Sequence, residues 1–146
     1  MVLYVLKHPI EAHLSKEDES FLRDRLDEFN EPYAGPRNSE EFGLTVRDDA
    51  GVVVAGVIAS CIWQWLHINV IWVSDSLRGQ GYGSALLAAA EKEGLKRNRK
   101  YAMLHTFSFQ ARPFYERHGY RLSGELTNFP EGHSQFRMSK KLGGDL

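Results

Sequence analysis

The sequence predicts an α/β fold built on one mixed, mostly antiparallel sheet, and three patterns support this prediction. Several short segments alternate apolar with polar residues, which is typical of half-buried strands. Other segments have the spacing or composition of helices, and two of them lie between strands. A strand, a helix and a further strand in that order indicate a parallel pair, which we place between Trp65–Val73 and Tyr101–Thr106.

The first predicted elements are a short strand at Val2 to Lys7 and a helix that begins near Ser15. Ser15 offers a side-chain oxygen to free amides, and acidic residues follow it in the first turn. Apolar residues then recur at helical spacing, at Phe21, Leu22, Leu26 and Phe29. The helix is expected to end before Pro32, because proline disfavours the helical conformation of the preceding residue. Asn30 to Ser39 is therefore predicted to be a loop.

Turn residues separate the elements that follow. Asp48 to Gly51 reads as a hairpin turn, Gly119 suits a helix end, and Pro130 to Gly132 separates the last two strands. Pro113 is tolerated in the first turn of its helix. In order, the predicted elements are strands at Phe42 to Val46, Val52 to Ile62 and Trp65 to Val73, a helix from Gly83 to Lys96, a strand at Tyr101 to Thr106, a helix from Phe109 to His118, and strands at Tyr120 to Leu126 and Ser134 to Leu142.

Length and composition predict one ordinary globular domain over residues 1–146. The chain has 146 residues, of which 42% are hydrophobic and 25% charged, and its formal net charge is −1. A near-zero charge argues against nucleic acid as a partner. The longest apolar stretch, Ala50 to Trp63, is shorter than the roughly 18 residues of a membrane-spanning helix. A cytoplasmic protein without a membrane partner is expected, with a tail from Gly143 to Leu146 that frays.

The charges are unevenly distributed along the chain. Residues 1–50 contain 12 acidic and 6 basic residues, whereas residues 51–146 contain 7 acidic and 12 basic residues. Such a division can mark surfaces for two different ligands, although charges also occur on any solvated face.

A glycine-rich segment lies between a predicted strand and a predicted helix. Arg78 to Ser84 reads Arg-Gly-Gln-Gly-Tyr-Gly-Ser, so glycines precede free amides and the positive end of the helix dipole. Arg78 adds a guanidinium that suits phosphate. The segment predicts a phosphate or pyrophosphate site. It lacks the Gly-Lys-Ser/Thr of a Walker A loop, and the third glycine and following acid of a dinucleotide fingerprint are missing too.

Two segments together carry a resemblance to a known family. Arg78 to Gly83 fits the Arg/Gln-x-x-Gly-x-Gly/Ala motif of the GNAT superfamily of acyl-CoA-dependent N-acyltransferases. Ala111 to Tyr120 resembles the later Ala-x-x-x-Tyr-Glu-Lys-x-Gly-Phe segment of that superfamily, and Leu104 to Tyr120 with Phe129 to Gln135 resembles a small uncharacterised bacterial subgroup. The resemblance implies that the parallel pair is central and splayed, and that helices flank the sheet.

The resemblance also implies which residues bind acetyl-CoA as the co-substrate. The glycine segment would hold the pyrophosphate through its backbone, and the end of the preceding strand would pair with the pantetheine arm. Ser108 stands where the family often has an asparagine that contacts the coenzyme. The implied coenzyme residues are Trp72, Val73, Arg78, Gly79, Gly81, Tyr82, Gly83, Ser84, Ser108 and Tyr115.

Tyr115 matches the family tyrosine that protonates the departing thiolate, and a phenol can donate to a thiolate. An amine must also lose a proton, and His67 stands near the position where some relatives carry a base. Asn69 lies two residues later on the same strand face and can hold a water or an amide. The base is left open between His67 and a water-mediated route.

Other chemistries are weaker. Cys61 lies in an apolar run and is expected to be a buried thiol. No metal is predicted, because the histidines lack ligand spacing. The basic run Lys96 to Lys100 reads as a solvated helix end.

We therefore expect an N-acetyltransferase that transfers acetyl from acetyl-CoA to a primary amine of a small molecule or peptide by direct attack. In relatives the first helix and the following loop wall the acceptor side, and His133 is a further candidate there. The acidity of residues 1–50 favours a cationic amine. The alternative is a non-catalytic acyl-CoA-binding sensor or interaction module on the same fold. Relatives are often dimers, which leaves a homodimer open.

Overall fold

The structure, a computed structural model, describes residues 1–143 and divides the chain into two compact units, Met1–Arg37 and Asn38–Leu146. The tail expected to fray falls, from residue 144 onward, outside the described residues. Among the helices in the described part of the chain, none is long and apolar enough to cross a bilayer.

The first unit contains one helix, α1 (Lys16–Ala34). Ser15 caps it as predicted, because Ser15 Oγ accepts the Asp18 amide at 3.0 Å and the Asp18 carboxylate accepts the Ser15 amide at 3.3 Å. The prediction that the helix ends before Pro32 is wrong, since Pro32 lies inside it. Proline in the last turn removes one helical hydrogen bond without stopping the chain. The helix ends at Gly35, which has a φ of 70° and donates to the Glu31 carbonyl.

The strand predicted at Val2 to Lys7 does not form; these residues are exposed and have no regular structure. A strand needs a neighbouring edge that pairs with its backbone groups. The sequence does not indicate which strand Val2 to Lys7 would pair with, so the prediction depended only on the apolar composition of this segment.

The second unit consists of a six-stranded sheet, two helices and a 3₁₀ turn. Its elements are β1 (Glu40–Arg47), β2 (Val53–Ile62), β3 (Trp65–Val73), the 3₁₀ turn (Asp75–Leu77), α2 (Tyr82–Lys96), β4 (Tyr101–Phe107), α3 (Arg112–Arg117), β5 (Arg121–Thr127) and β6 (Ser134–Lys141). The strand order is β1-β2-β3-β4-β6-β5, and only β3 and β4 are parallel within it. The predicted fold class is confirmed.

Helix α3 begins three residues later than predicted, at Arg112 instead of Phe109. The Gln110 amide donates to the Phe107 carbonyl at 2.8 Å, and the Gln110 side-chain oxygen accepts the Phe107 amide at 3.0 Å. These bonds form a turn between β4 and α3, so the residues before Arg112 are not helical.

The core of this unit lies between α2 and one face of the sheet. Leu86, Leu87 and Ala90 of α2 are buried, and a Cβ on Gly94 would lie 2.9 Å from the Leu66 side chain, so the helix and β3 are in close contact. Alternate residues of the inner strands point into this core, among them Val57, Ala59, Cys61, Leu66, Ile68, Ala102, Leu104, Thr106 and Met138. The expectation of a buried Cys61 thiol is confirmed.

The basic run after α2 is not wholly solvated. The Arg99 side chain is 4% exposed, and its guanidinium donates to the Trp63 and Asn38 carbonyls and to the Glu40 carboxylate. Arg97 also pairs with Glu40. This part of the prediction is therefore wrong for Arg99, which ties the end of α2 to β1 and the β2–β3 turn. The sequence contains no periodic pattern that separates such an arginine from its exposed neighbours.

Two irregularities of β3 shape the site. β3 and β4 pair only from Trp65 to Ile68 and from Tyr101 to Leu104, and beyond these residues the two strands part. In the pairing with β2, Ala59 faces Ile68 while Ile58 faces Val70, so Asn69 is an extra residue that forms a bulge. The bulge reverses the alternation, and Val70 and Trp72, not Ile71 and Val73, share the face of His67.

Candidate active site

A cavity of about 930 Å³ opens where β3 and β4 separate. Its wall includes the end of β3, the loop before α2, the start of α2 and the segment from β4 into α3. Ten of the twelve predicted site residues line it: Asn69, Trp72, Val73, Arg78, Gly79, Gly81, Tyr82, Gly83, Ser84 and Tyr115. His67 and Ser108 do not.

The glycine loop shapes one end of the cavity through its backbone. Gly79 and Gly81 have φ angles of +75° and +88°, which L side chains rarely adopt, and a Cβ on either would meet no atom within 4 Å. Gly81 caps α2 without a side-chain hydrogen bond, and its carbonyl accepts the Ala85 amide. The amides of the first helical turn precede this bond and have no partner in their own helix. An anion can therefore approach these amides closely.

The charged residues among the described residues that line the cavity are both arginines, Arg78 and Arg117. The Arg78 guanidinium is 65% exposed, pairs with Asp75 at 3.0 Å and donates from Nε to the Val73 carbonyl at 3.3 Å. This second bond holds the base of the side chain beside the end of β3. Two cations and free amides suit a ligand with several negative charges.

Side chains of α3 brace the start of α2. The Ser84 hydroxyl lies 2.9 Å from Nε2 of His118, and the Phe114 ring lies 3.5 Å from the position that a Gly83 Cβ would take. The first turn of α2 and the segment from Phe114 to His118 therefore pack together at one end of the cavity.

Tyr115 lies on the inner face of α3. Its ring packs against Phe114 and Tyr120, with ring centres 5.1 and 6.0 Å away. Burial raises the pKa of the Tyr115 phenol above its usual value of about 10, so the group is protonated at neutral pH. Tyr120 is held in turn, because its hydroxyl donates to Glu91 at 3.3 Å and Lys140 pairs with the same carboxylate at 2.6 Å.

Asn69 and His67 lie near the point where the strands part. The Ser60 hydroxyl donates to Asn69 Oδ1 at 3.1 Å, which leaves the two amide hydrogens of Asn69 for another acceptor. His67 lies one layer behind the cavity, with its ring edge-on to His105 at 5.5 Å between centres. Burial, together with His105 and Arg137, lowers the pKa of His67.

His105 is a residue of the cavity wall that the sequence reasoning did not single out. It is the first residue of β4 beyond the paired region, and Arg137 on β6 donates to its Nε2 at 3.3 Å. Burial and the Arg137 charge lower the pKa of His105. A histidine in a strand carries no local signal of this kind, since its place at the opening depends on the register of β4 against β3.

Ser108 has a different environment from the one implied by the resemblance. Its Oγ accepts the Ser134 amide at 3.0 Å and lies 3.4 Å from Nδ1 of His133. Its own amide donates to the Ser134 carbonyl at 2.9 Å. Ser108 thus fastens the end of β4 to the start of β6, a long-range bond that a motif cannot show.

Most of the apolar wall, two polar residues and one cation were not predicted from the sequence. These residues are Ile68, Val70, Ile71, Leu77, Thr106, Phe109, Gln110, Ala111, Phe114 and Arg117. Ala111, Phe114 and Arg117 lie inside the segment that carried the resemblance, so that segment offered a usable signal for them. Among the described residues there is no group of three or more His, Cys, Asp or Glu side chains that could hold a metal ion.

A splayed parallel pair, a glycine loop at a helix start and a protonated tyrosine are features of acyltransferases that use acyl-coenzyme A. The sequence model of the acetyltransferase (GNAT) family matches residues 7–120. The chain belongs to this family and is an acetyl-CoA-dependent acetyltransferase.

Individual proteins show the same relationship. Blasticidin-S acetyltransferase of Streptomyces morookaense is 32% identical over 112 residues, which cover 76% of this chain and 82% of that protein. Acetyltransferase Atu2258 of Agrobacterium fabrum is 31% identical over 126 residues, covering 86% and 92%. The crystal structure of an acetyltransferase from Bacillus cereus superposes with a TM-score of 0.84 at 32% identity, over 92% of this chain and 98% of that chain.

Proposed function

We propose that this acetyltransferase transfers the acetyl group of acetyl-CoA to a primary amine of a small molecule or peptide by direct attack of the amine. The observation that carries the proposal is the continuous cavity that joins the glycine loop, the open end of β3 and Tyr115. The cavity runs from the glycine loop to the opening of the strands, which suits a ligand with an anionic end and an extended arm. The amine would meet the thioester near that opening.

The phosphate end of the coenzyme fits the loop and the start of α2. Gly79 and Gly81 leave open space where side chains would stand, so the backbone amides can reach a pyrophosphate. Arg78 and Arg117 supply the opposing charge. Trp72 and Val73 pair with β2 but not with β4, so the backbone groups on the β4 side, apart from the Val73 carbonyl that accepts Arg78 Nε, are left for the amides of the pantetheine arm.

The thioester supplies the activated acetyl carbon. As the amine nitrogen bonds to that carbon, the carbon–sulfur bond breaks and the sulfur takes a proton from the Tyr115 hydroxyl. The raised pKa of Tyr115 keeps this proton in place until a thiolate forms beside it. The free amide hydrogens of Asn69 can donate to the carbonyl oxygen, where negative charge develops.

The proton of the amine leaves towards the histidines on the far side of the opening. His105 lines the cavity and its ring contacts that of His67, and both have lowered pKa values, so both imidazoles are neutral at pH 7. Arg137 already donates to Nε2 of His105, the acceptor nitrogen of the neutral ring, so His67 keeps its proposed role as base, directly or through a water.

Direct attack is favoured because Cys61 offers no covalent route. The thiol is fully buried in the core, and burial raises its pKa, so the reactive thiolate is suppressed. The similarity to a protein named blasticidin-S acetyltransferase supports a small-molecule acceptor. The excess of acidic residues in residues 1–50 supports a cationic one.

The test is to mix the protein with acetyl-CoA and a panel of primary amines, with matched alcohols as controls, and to follow the release of free thiol. We expect thiol release with amines only, and an acetylated amine in the mass spectrum of the product. Intact-protein mass after incubation with acetyl-CoA alone should show no acetyl adduct. Tight coenzyme binding without turnover of any amine would refute the proposal, and an adduct that amines remove would refute direct attack.

A further inference from the structure

Four rings form a cluster beside the cavity, which we call the aromatic ledge (Phe107, Phe109, Phe129 and His133). The Phe107 ring is nearly parallel to Phe109 and to Phe129, at 5° and 15°, with centres 5.4 and 5.7 Å away. His133 meets Phe109 edge-on at 4.9 Å. Phe109 and Phe129 remain 56% and 46% exposed, so part of the stack faces solvent.

The ledge lies on the face of the sheet opposite to α2. On β4 the buried residues Ala102, Leu104 and Thr106 point towards the core that α2 covers. Alternation places His105 and Phe107 on the other face. Because the glycine loop leads into α2, the ledge and the glycine loop lie on different sides of the sheet.

The ledge is nonetheless continuous with the cavity, because Phe109 belongs to both. Phe109 precedes α3, whereas Phe114 and His118, which contact the start of α2, lie five and nine residues further along the chain. Phe109 thus belongs to the part of the cavity wall between β4 and α3, not to the part that holds the start of α2.

The polar groups around the ledge hold it in place. Ser108 accepts the Ser134 amide and faces Nδ1 of His133, which secures the turn that carries His133. The His133 Nε2 has no hydrogen-bond partner among the described residues and lies at the rim of the stack. Phe109 and Phe129 are partly exposed, and an exposed ring beside a polar group suits a flat ring with a polar substituent.

We propose that the aromatic ledge binds a flat aromatic or heteroaromatic ring carried by the acceptor amine, packed against the exposed surface of Phe109 with His133 as its polar contact. This inference rests on the proposed function, since it names the substrate class of the same site. The parallel rings already present show that the ledge has stacking geometry, and a further ring extends it.

The test measures binding without catalysis, by calorimetry at pH 7 on protein saturated with coenzyme A. Benzylamine and cyclohexylmethylamine serve as probes, because both are cationic and share a carbon skeleton while only the first has a flat π ring. We expect benzylamine to bind about 3- to 10-fold more tightly. Phe109→Leu should abolish this difference and Phe109→Tyr should keep it, and Phe129→Leu should reduce it.

Equal affinity of the two amines for the wild-type protein overturns the inference. So does a Phe109→Leu variant that keeps the preference, or one that loses only affinity for coenzyme A, since the ring bound there would then be adenine. Failure of the proposed function is a different result: benzylamine binds preferentially, but acetyl-CoA and benzylamine release no thiol.

Discussion

The two sides of the sheet in the second unit present different kinds of chemical group. On the α2 side, the glycine loop offers backbone amides, positive-φ glycines and a cation, all from a short continuous segment. On the opposite side, His105, Arg137 and the aromatic ledge come from two strands and two turns, and only side chains are presented. A backbone site is built locally and suits one constant ligand, whereas a side-chain site can change with each substitution and suits a variable one.

The largest expected effect concerns Tyr115, which lines the cavity. Tyr115→Phe removes the proton donor but keeps the ring, so kcat should fall about 100-fold while the Kd for acetyl-CoA changes little. Steady-state kinetics with coenzyme titration measures both. Tyr120→Phe is the matched control, because it removes a hydroxyl that bonds to Glu91. Its kcat should fall far less, and an unchanged kcat in Tyr115→Phe would remove the acid role.

The next effect tests whether the α2 side depends on backbone conformation. Gly81→Val places a β-branched residue at a φ of +88°, which is strongly disfavoured. We expect the KM for acetyl-CoA to rise about 10-fold or more. Gly83→Ala is the control, since its Cβ would meet the Phe114 ring at an ordinary 3.5 Å. Similar losses in both variants would show that the loop tolerates no change at all, irrespective of φ.

The third prediction concerns pH and the histidines of the opposite side. The pKa values of His67 and His105 are lowered, so their neutral forms persist at pH 6.5 and are lost only as the pH falls further. The ratio of the wild-type kcat to that of His67→Asn cancels the titration of the amine itself. This ratio should be constant, at several-fold, from neutral pH upward and approach one in more acidic solution. A ratio that rises on acidification contradicts a neutral base.

The smallest effect is expected at Arg78. Its guanidinium is largely exposed and already pairs with Asp75, so solvent and salt screen its contribution. Arg78→Gln should raise the KM for acetyl-CoA about 2- to 5-fold at low salt, and less at high salt. A loss as large as that of Gly81→Val would mean that charge, not backbone, dominates the α2 side.

Local patterns were sufficient for most of the second unit. β3 lies at Trp65–Val73 as predicted, and α2 begins one residue before its predicted start, because alternation and an alanine-rich stretch are properties of consecutive residues. The glycine loop was recognised for the same reason. Pro32 inside α1 and the absent strand at Val2 to Lys7 show where local patterns fail. A helix can continue past a proline in its last turn, and a strand does not form without a neighbouring strand.

The roles of individual side chains depended on contacts between distant segments. Ser108 bonds to Ser134, Arg99 to Glu40 and His105 to Arg137, and each partner is more than twenty residues away. The bulge at Asn69 also exists only relative to β2. The order of elements and the glycine loop could thus be predicted from the sequence alone, because they follow from neighbouring residues. The opening of β3 from β4, the histidine at that opening and the aromatic ledge arose only on folding, because register and turn geometry bring their residues together.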